Sequence, residues 1–443
     1  MGPFLAGIAV IGGPIPVVID VIAAVAAVAL AVRLRPRGHR VRWVALVVFA
    51  LASGAALGLL TCWIIGDLLN AFDVTLTVIS RAWVAAAFAG IALAIVNLPW
   101  SRTRRKAGAI ASVLVFALLG AVGVNADFGQ YPTLASVLGA SSFPGLPPSA
   151  LAAQRAAAGS APAAEAPLWS TWHAPANVPT TGVVGAVTIP STVSHFAARQ
   201  ALVYLPPAAL VADPPALPVL IMLSGQPGSP EHVFIAGHLD SLIDRIAAQN
   251  HGLAPIVVVP DQLSAPQTNP MCVDSSIGNS ATYLTVDVPT WIKANLDVQA
   301  ATTAWGIGGF SQGGTCAIQL GAGHPDLFGS IIDVSGELEP KIGTPEVTID
   351  KGFDGDAAAY DAAKPLSIIA RHAPFPNTVG VFAAGQSDAK YSAWIATVAA
   401  SAKAAGIRTT VLSSPGTAHD WYTVRYAFEH GLPIIDAQMG LTS

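Results

Sequence analysis

Charge is scarce in this chain. Only 11% of its 443 residues are Asp, Glu, Lys or Arg, while 53% are hydrophobic. Average soluble proteins carry about 25% charged residues, so this is not the composition of an ordinary water-exposed protein. The formal net charge is −4, and no basic tract occurs beyond two short arginine clusters. Nucleic acid is therefore not an expected partner. Three cysteines supply no disulfide framework. Cys62 lies in an apolar run; Cys272 and Cys316 are available to pair in an exported domain, but the sequence does not set the distance between them. Metal-ligand spacings and a phosphate-binding P-loop are also missing. The run Gly306-Ile307-Gly308-Gly309 departs from the dinucleotide fingerprint, with Ser311 at its last glycine position. No metal and no cofactor is expected.

What is present is unevenly spread. Four apolar segments fill residues 1–125: Phe4–Val32, Trp43–Ile65, Val74–Leu98 and Ala107–Val124. Each approaches or exceeds the length needed to span a bilayer. Arg81, near the start of the third, has a side chain long enough to snorkel to the interface. Asp20 interrupts the first, and would cost about 2.5–3.5 kcal/mol at a helix centre; it is expected to face the bundle as a satisfied structural residue or to mark a polar functional site. Arg33, Arg35, Arg37, Arg40 and Arg42 follow the first segment; Arg102, Arg104, Arg105 and Lys106 follow the third. Residues 66–80 between the second and third carry no basic residue, only Asp67 and Asp73. Cytoplasmic loops hold the excess of Lys and Arg. Both arginine loops are thus expected inside, and the N-terminus and everything after Val124 outside. The start lacks the basic n-region of a cleaved signal peptide, so the first segment is expected to be retained.

Residues 126–166 read as a juxtamembrane segment and then an Ala/Pro-rich linker with little capacity to bury a core. Residues 167–443 alternate strand and helix patterns. Strands are expected at Val183–Ile189 and Gln200–Leu205 as an antiparallel pair, then at Val219–Leu223, Ile256–Val259, Thr302–Trp305 leading into a turn that ends at Ser311, Ser330–Val334, Val379–Ala383 and Arg408–Leu412. Helices are expected at Leu239–Gln249, Tyr283–Asn295 and Tyr391–Ala404. In Tyr283–Asn295 the residues Tyr283, Val286, Val288, Trp291 and Ile292 are available for one buried face. Such alternation implies an α/β fold with a mostly parallel sheet covered by helices, and ligands at the carboxyl ends of its strands.

At one such end stands Gly309-Phe310-Ser311-Gln312-Gly313, a G-x-S-x-G pattern. The pattern marks a nucleophile elbow, a strained turn from strand to helix that lifts the serine above the sheet. Serine is a weak nucleophile and needs an oriented base. His419, in a loop after the last strand, fits the chain order Ser, acid, His; His372 comes too early. Asp388 lies just past the Val379 strand and is the expected acid, with Asp333, Glu337 and Asp420 as competitors. The oxyanion would be held by two backbone N–H groups. One is that of Gln312 at a helix start; the other is that of Gln226 in Leu223-Ser224-Gly225-Gln226-Pro227-Gly228, since Pro227 cannot donate. The polar loop Pro266–Ala281, which contains Cys272, Asp274 and Ser275, is long enough to shape a pocket or to be purely structural.

Residues 180–435 resemble the esterase D-type branch of α/β-hydrolases, a group that includes the secreted mycobacterial mycolyltransferases. The likeness rests on Tyr283-Leu284-Thr285-Val286-Asp287-Val288-Pro289-Thr290-Trp291-Ile292-Lys293-Ala294-Asn295, Gly308 to Gly314, His324-Pro325-Asp326-Leu327-Phe328 and Ala418-His419-Asp420-Trp421. It implies Ser311 as nucleophile, His419 as base and acid, and an ester or acyl-transfer reaction. Mycolyltransferases use a glutamate as the carboxylate, and have Asp-Gly where this chain has Ser224-Gly225; an acidic sugar contact therefore does not carry over. The expected protein is a membrane-anchored, extracytoplasmic serine esterase or acyltransferase acting on esters or acyl lipids. A non-catalytic envelope-binding module and a transport role for the four helices are the competing classes.

Overall fold

A computed structural model describes residues 7–32, 37–71, 73–99, 101–158 and 166–442. They form two compact units, residues 1–142 and 143–443.

In the first unit α1 (Pro14–Ala31), α2 (Arg37–Cys62), α3 (Val78–Ile95) and α4 (Thr103–Phe128) are each part of a helix long and apolar enough to cross a membrane. Their outward faces are apolar, including Val17, Val25, Phe49 and Leu114, a surface that hydrocarbon would cover and water would not. Small residues bring the helices together. A Cβ at Gly54 of α2 would lie 2.6 Å from Phe88 O of α3, and one at Gly58 would lie 3.0 Å from Ala85 Cα. Helix α2 continues as a π-helical turn, Trp63–Leu68, which contains Asp67. Arg81 does not simply snorkel. Its Nη1 and Nη2 donate to the two carboxylate oxygens of Asp67 at 2.9 and 2.7 Å, and its Nε donates to Leu76 O. Asp20 does not face the bundle either. Helix α1 buries Ala23 and Leu30, whereas Asp20 is exposed and has no hydrogen-bond partner among the described residues.

The second unit begins at Phe143, inside the stretch with linker composition. Its helix α5 (Pro148–Ala157) docks on the globular core through polar side chains. Gln154 donates to Ala209 O and accepts from Asp297 N, and Arg155 donates to Asn295 Oδ1. Residues 159–165 of that stretch lie outside the described residues.

The main sheet has eight strands: β1 (Val183–Val187), β2 (Ala201–Leu205), β3 (Val219–Leu223), β4 (Ile256–Val259), β7 (Trp305–Phe310), β8 (Ser330–Val334), β9 (Val379–Gly385) and β10 (Arg408–Ser414). A separate two-stranded ribbon, β5 (Asp274–Ser275) and β6 (Gly278–Asn279), lies within the long polar loop. The order is β1-β2-β4-β3-β7-β8-β9-β10. β1 and β2 pair antiparallel, as do β2 and β4, and the remaining pairs are parallel. β2, β3, β4, β7, β8 and β9 are buried along their whole length. That explains their continuous Val/Ile/Leu runs, since helices cover both sides of a parallel sheet. Helices α6 (Leu239–Gln249), α7 (Val288–Asn295), α8 (Gln312–Gly323), α9 (Pro365–His372), α10 (Ala389–Ala404) and α11 (Trp421–Gln438) provide that cover. Gly431 of α11 packs on Val381, while Ile395 and Val398 of α10 join Phe382 and Ile331 in a separate cluster.

Two expected elements differ. Thr302–Ala304 forms a 3-10 turn rather than strand, because pairing with β3 starts only at Val219–Trp305. The helix expected over Tyr283–Asn295 is broken by a π-helical turn at Tyr283–Asp287. Pro289 has no N–H to continue the α-helical ladder. The wider turn moves Val286 off the buried face, where it is 41% exposed, and aims the Asp287 carboxylate at the N–H groups of Val193 and Ser194.

Candidate active site

Ser311 sits between β7 and α8 at φ 56° and ψ −118°. A side-chain-bearing residue pays for this region of backbone space with strain of about 1–3 kcal/mol. Neighbouring glycines make the turn sterically feasible. A Cβ at Gly309 would fall 2.3 Å from Gly313 O, and one at Gly313 would fall 2.4 Å from Ser224 O. Ser311 N donates to Val334 O at 2.8 Å, which ties the elbow to β8.

His419 lies in the loop between β10 and α11, and its Nε2 is 2.9 Å from Ser311 Oγ. The loop reaches the site across Gly385, where any Cβ would stand 2.3 Å from Ala418 O. Ser387 N donates to Thr417 O at 2.9 Å, locking the two loops together. The imidazole packs at a tilt against Tyr391, at 4.0 Å between ring centroids, and against Phe310, at 4.9 Å. Asp388 is the N-cap of α10. It accepts from Tyr391 N on Oδ1 and places Oδ2 3.3 Å from His419 Nδ1. Neither Oδ2 nor Nδ1 makes a hydrogen bond among the described residues, so the 3.3 Å approach is an ion-pair contact rather than a formed hydrogen bond. Ser311, His419 and Asp388 thus come together in space from three separate loops.

The competing acids are engaged elsewhere. Glu337 pairs with Lys341 at 3.3 Å and accepts from Tyr391 Oη at 3.5 Å. Asp420 caps α11, accepting from Thr423 N and Ala418 N; burial pushes its carboxyl above the ordinary range against the pull of those N–H groups. Asp333 is inside β8, fully buried, and burial pushes it up to about 7.

Among the described residues neither the Gln312 N–H nor the Gln226 N–H donates to a protein acceptor. Gly225 lies against the elbow, with its would-be Cβ 3.5 Å from Ser311 Cβ. The tight turn at Gly228, whose Cβ would sit 2.1 Å from Gly225 O, closes this loop. The polar loop 266–281 is fastened to the elbow helix by a Cys272–Cys316 disulfide. The Gln312 side chain reinforces the link, donating to Asn269 Oδ1 at 3.0 Å and Cys316 Sγ at 3.2 Å. Cys62 is a buried free thiol. Among the described residues no cluster of His, Cys, Asp or Glu has the arrangement to hold a metal ion.

Sequence reasoning missed three contributors. Tyr391 supports both His419 and Asp388. Arg199 binds the fully buried Asp261 and also donates to Gly228 O. His232 is buried beside Trp421, and its pKa is lowered to about 4 by burial and by Arg199. The weak signal for the first was an aromatic residue three positions after the acid, at a helix start.

A mostly parallel sheet with a strained serine at the end of a central strand is the architecture of an esterase-type α/β-hydrolase. The chain belongs to the putative esterase family, which it matches over residues 197–425. It is 40% identical over 182 residues to an uncharacterised protein of Corynebacterium glutamicum, covering 41% of this chain and 43% of the other. It is also 40% identical over 81 residues to the diacylglycerol acyltransferase/mycolyltransferase Ag85B of Mycolicibacterium smegmatis, covering 18% of this chain and 24% of that one. The chain thus spans less than half the length of these curated relatives. Among solved structures, a ferulic acid esterase superposes with a TM-score of 0.50 at 18% identity, over 60% of this chain and 100% of the other. That is a likeness of fold.

Proposed function

We propose that this protein is a membrane-anchored serine hydrolase that cleaves carboxylic esters through an acyl-enzyme, with its catalytic unit outside the cytoplasmic membrane. The observation that carries the proposal is the 2.9 Å approach of His419 Nε2 to Ser311 Oγ at a strained elbow. Ser311 Oγ attacks the ester carbonyl while His419 Nε2 takes its proton. Asp388 stabilises the imidazolium and holds the ring. The tetrahedral oxyanion accepts from the N–H groups of Gln312 and Gln226, the first of which is at a helix N-terminus. Collapse expels the alcohol, which leaves with the proton from Nε2. An acceptor hydroxyl then repeats the sequence on the acyl-enzyme, giving up its proton to His419 and releasing Ser311. No cofactor enters these steps.

Water as the acceptor makes the protein an esterase. A sugar or lipid hydroxyl makes it an acyltransferase, a second reading favoured by the 81-residue similarity to an enzyme named as a mycolyltransferase. Four helices able to span a bilayer keep the unit at a lipid surface, where acyl lipids are the accessible esters. Hydrolysis of p-nitrophenyl esters of increasing chain length tests the proposal, using the full chain in detergent. Wild-type activity lost in Ser311→Ala and His419→Ala is expected. An acyl donor with and without a sugar acceptor then separates the two reactions. Equal activity in the two variants and wild type would remove the assignment.

A further inference from the structure

The loop after β3 is held at both ends through two consecutive residues that follow a neighbouring strand. Asp261 and Gln262 follow closely on β4, which lies beside β3 in the sheet although it comes later in the chain. Gln262 is fully buried. Its Nε2 donates to Ser224 O at 2.6 Å and to Gln312 Oε1 at 3.1 Å. A backbone carbonyl can only accept, so the amide nitrogen must face Ser224. The C=O and N–H of a trans peptide lie in one plane on opposite sides. Fixing the Ser224 carbonyl therefore fixes the Gly225 N–H and the path of the chain into Gln226.

The other end is held through an arginine. Asp261 accepts from Arg199 Nε at 2.9 Å and from Arg199 Nη2 at 2.7 Å. The same Nη2 donates to Gly228 O at 3.0 Å. Arg199 N and Leu263 N also donate to the Asp261 carboxylate, at 2.8 and 3.0 Å. Asp261 is fully buried and paired on both oxygens, so the guanidinium has little freedom. The carbonyls on either side of Gly225-Gln226-Pro227 are thus both tied down. Through Gln312 Oε1, the clamp also reaches the residue that bears the other expected oxyanion donor.

We propose that Asp261 and Gln262 are positioning residues that set the oxyanion loop against the nucleophile elbow, with Arg199 as the connecting arm. The inference rests on the serine-hydrolase reading above. Donor placement matters most when charge develops on the substrate oxygen. The clamp therefore acts on kcat and leaves ground-state binding nearly untouched.

The test uses the full-length chain in detergent micelles with p-nitrophenyl butyrate. Gln262→Met keeps the length of the side chain and removes its donor. Its kcat is expected to fall about 10- to 100-fold, with KM within roughly twofold of wild type. Affinity for a trifluoromethyl ketone, whose serine adduct carries the oxyanion, is expected to fall in parallel. Arg199→Lys keeps a charge facing Asp261, but one ammonium cannot span both Asp261 and Gly228; the same signature is expected at about tenfold. Should Gln262→Met fail to fold, as judged by circular dichroism, Arg199→Lys decides the matter alone. Wild-type kcat and ketone affinity in the folded variants, beside an inert Ser311→Ala, would overturn the clamp and leave the triad standing. Wild-type activity in Ser311→Ala itself would overturn the hydrolase reading and the clamp with it.

Discussion

Asp388 and Glu337 differ in their partners. Asp388 Oδ2 has only the imidazole to meet, whereas Glu337 is shared between Lys341 and Tyr391. Asp388→Asn is expected to lower kcat by about 10²- to 10⁴-fold, because the amide favours the wrong imidazole tautomer. Glu337→Gln removes one indirect support of Tyr391, and is expected to lower kcat by less than about tenfold, the scale of a single hydrogen bond. Stopped-flow ester hydrolysis on both variants checks the pair; the reverse ranking would make Glu337 the acid. A different residue reports on stability. Asp436, on α11, is buried with both carboxylate oxygens unpartnered, and burial pushes it up to about 7. Its folded pKa lies above its unfolded one, so its contribution is fully present below about pH 4 and is lost as pH rises through 7. Over that window the slope is about 1.4 kcal/mol per pH unit. Asp436→Asn is expected to match wild type in melting temperature near pH 4 and to exceed it by several degrees at pH 8. A constant offset at both pH values would show that the carboxyl does not titrate in this window.

The elements fix where these residues meet, and the disulfide tests that at their scale. Cys272 and Cys316 are 44 residues apart and join the polar loop to α8. Closing a loop of that length in the unfolded chain is worth about 4 kcal/mol in the chain-entropy account. Cys272→Ser with Cys316→Ser is expected to lower the melting temperature of the second unit, and reductant is expected to bring wild type down to the same value. Reductant acting equally on the variant would show that the bond is not the cause. Much of this level was legible in the residues. Val219–Leu223 and Ile256–Val259 read as strands because both faces are buried and both faces are aliphatic. The elbow read clearly because only glycines fit at 309 and 313. The π-helical turn at 283–287 did not, since the pattern Tyr283, Val286, Val288 looks α-helical until the missing N–H of Pro289 is followed back to Thr285. The contacts of Gln262 with Ser224 and of Arg199 with Asp261 were illegible for another reason. They depend on β4 inserting between β2 and β3, a sheet order that no local spacing encodes. The docking of α5 depends likewise on three distant polar partners, beside the apolar contacts of Ala150 and Leu151.

For the whole molecule, the question is on which side of the bilayer the chemistry happens. Four helices are long and apolar enough to span a membrane; spanning by all four, an even number, would put the chain before α1 and the chain after α4 on one side. The loops after α1 and after α3 share the other. Arginine clusters occupy these two loops and the first turns of α2 and α4 that follow them, whereas residues 66–80 carry only Asp67 and Asp73, and Asp67 pairs with the nearby Arg81. Arg105 is committed to the same end of the bundle, donating to Leu30 O and Val32 O at the end of α1. Transferring several uncompensated cations across the membrane is unfavourable, so the clusters are expected to remain in the cytoplasm and the esterase unit outside. A reporter pair decides this in a bacterial host. Alkaline phosphatase, active only after export, is expected to be active when fused at the C-terminus and inactive when fused after residue 38 or residue 102. A fluorescent protein that folds only in the cytoplasm is expected to give the opposite pattern. Phosphatase activity at residue 38 together with fluorescence at the C-terminus would place the serine site inside, and would restrict its substrates to lipids of the cytoplasmic leaflet and soluble esters.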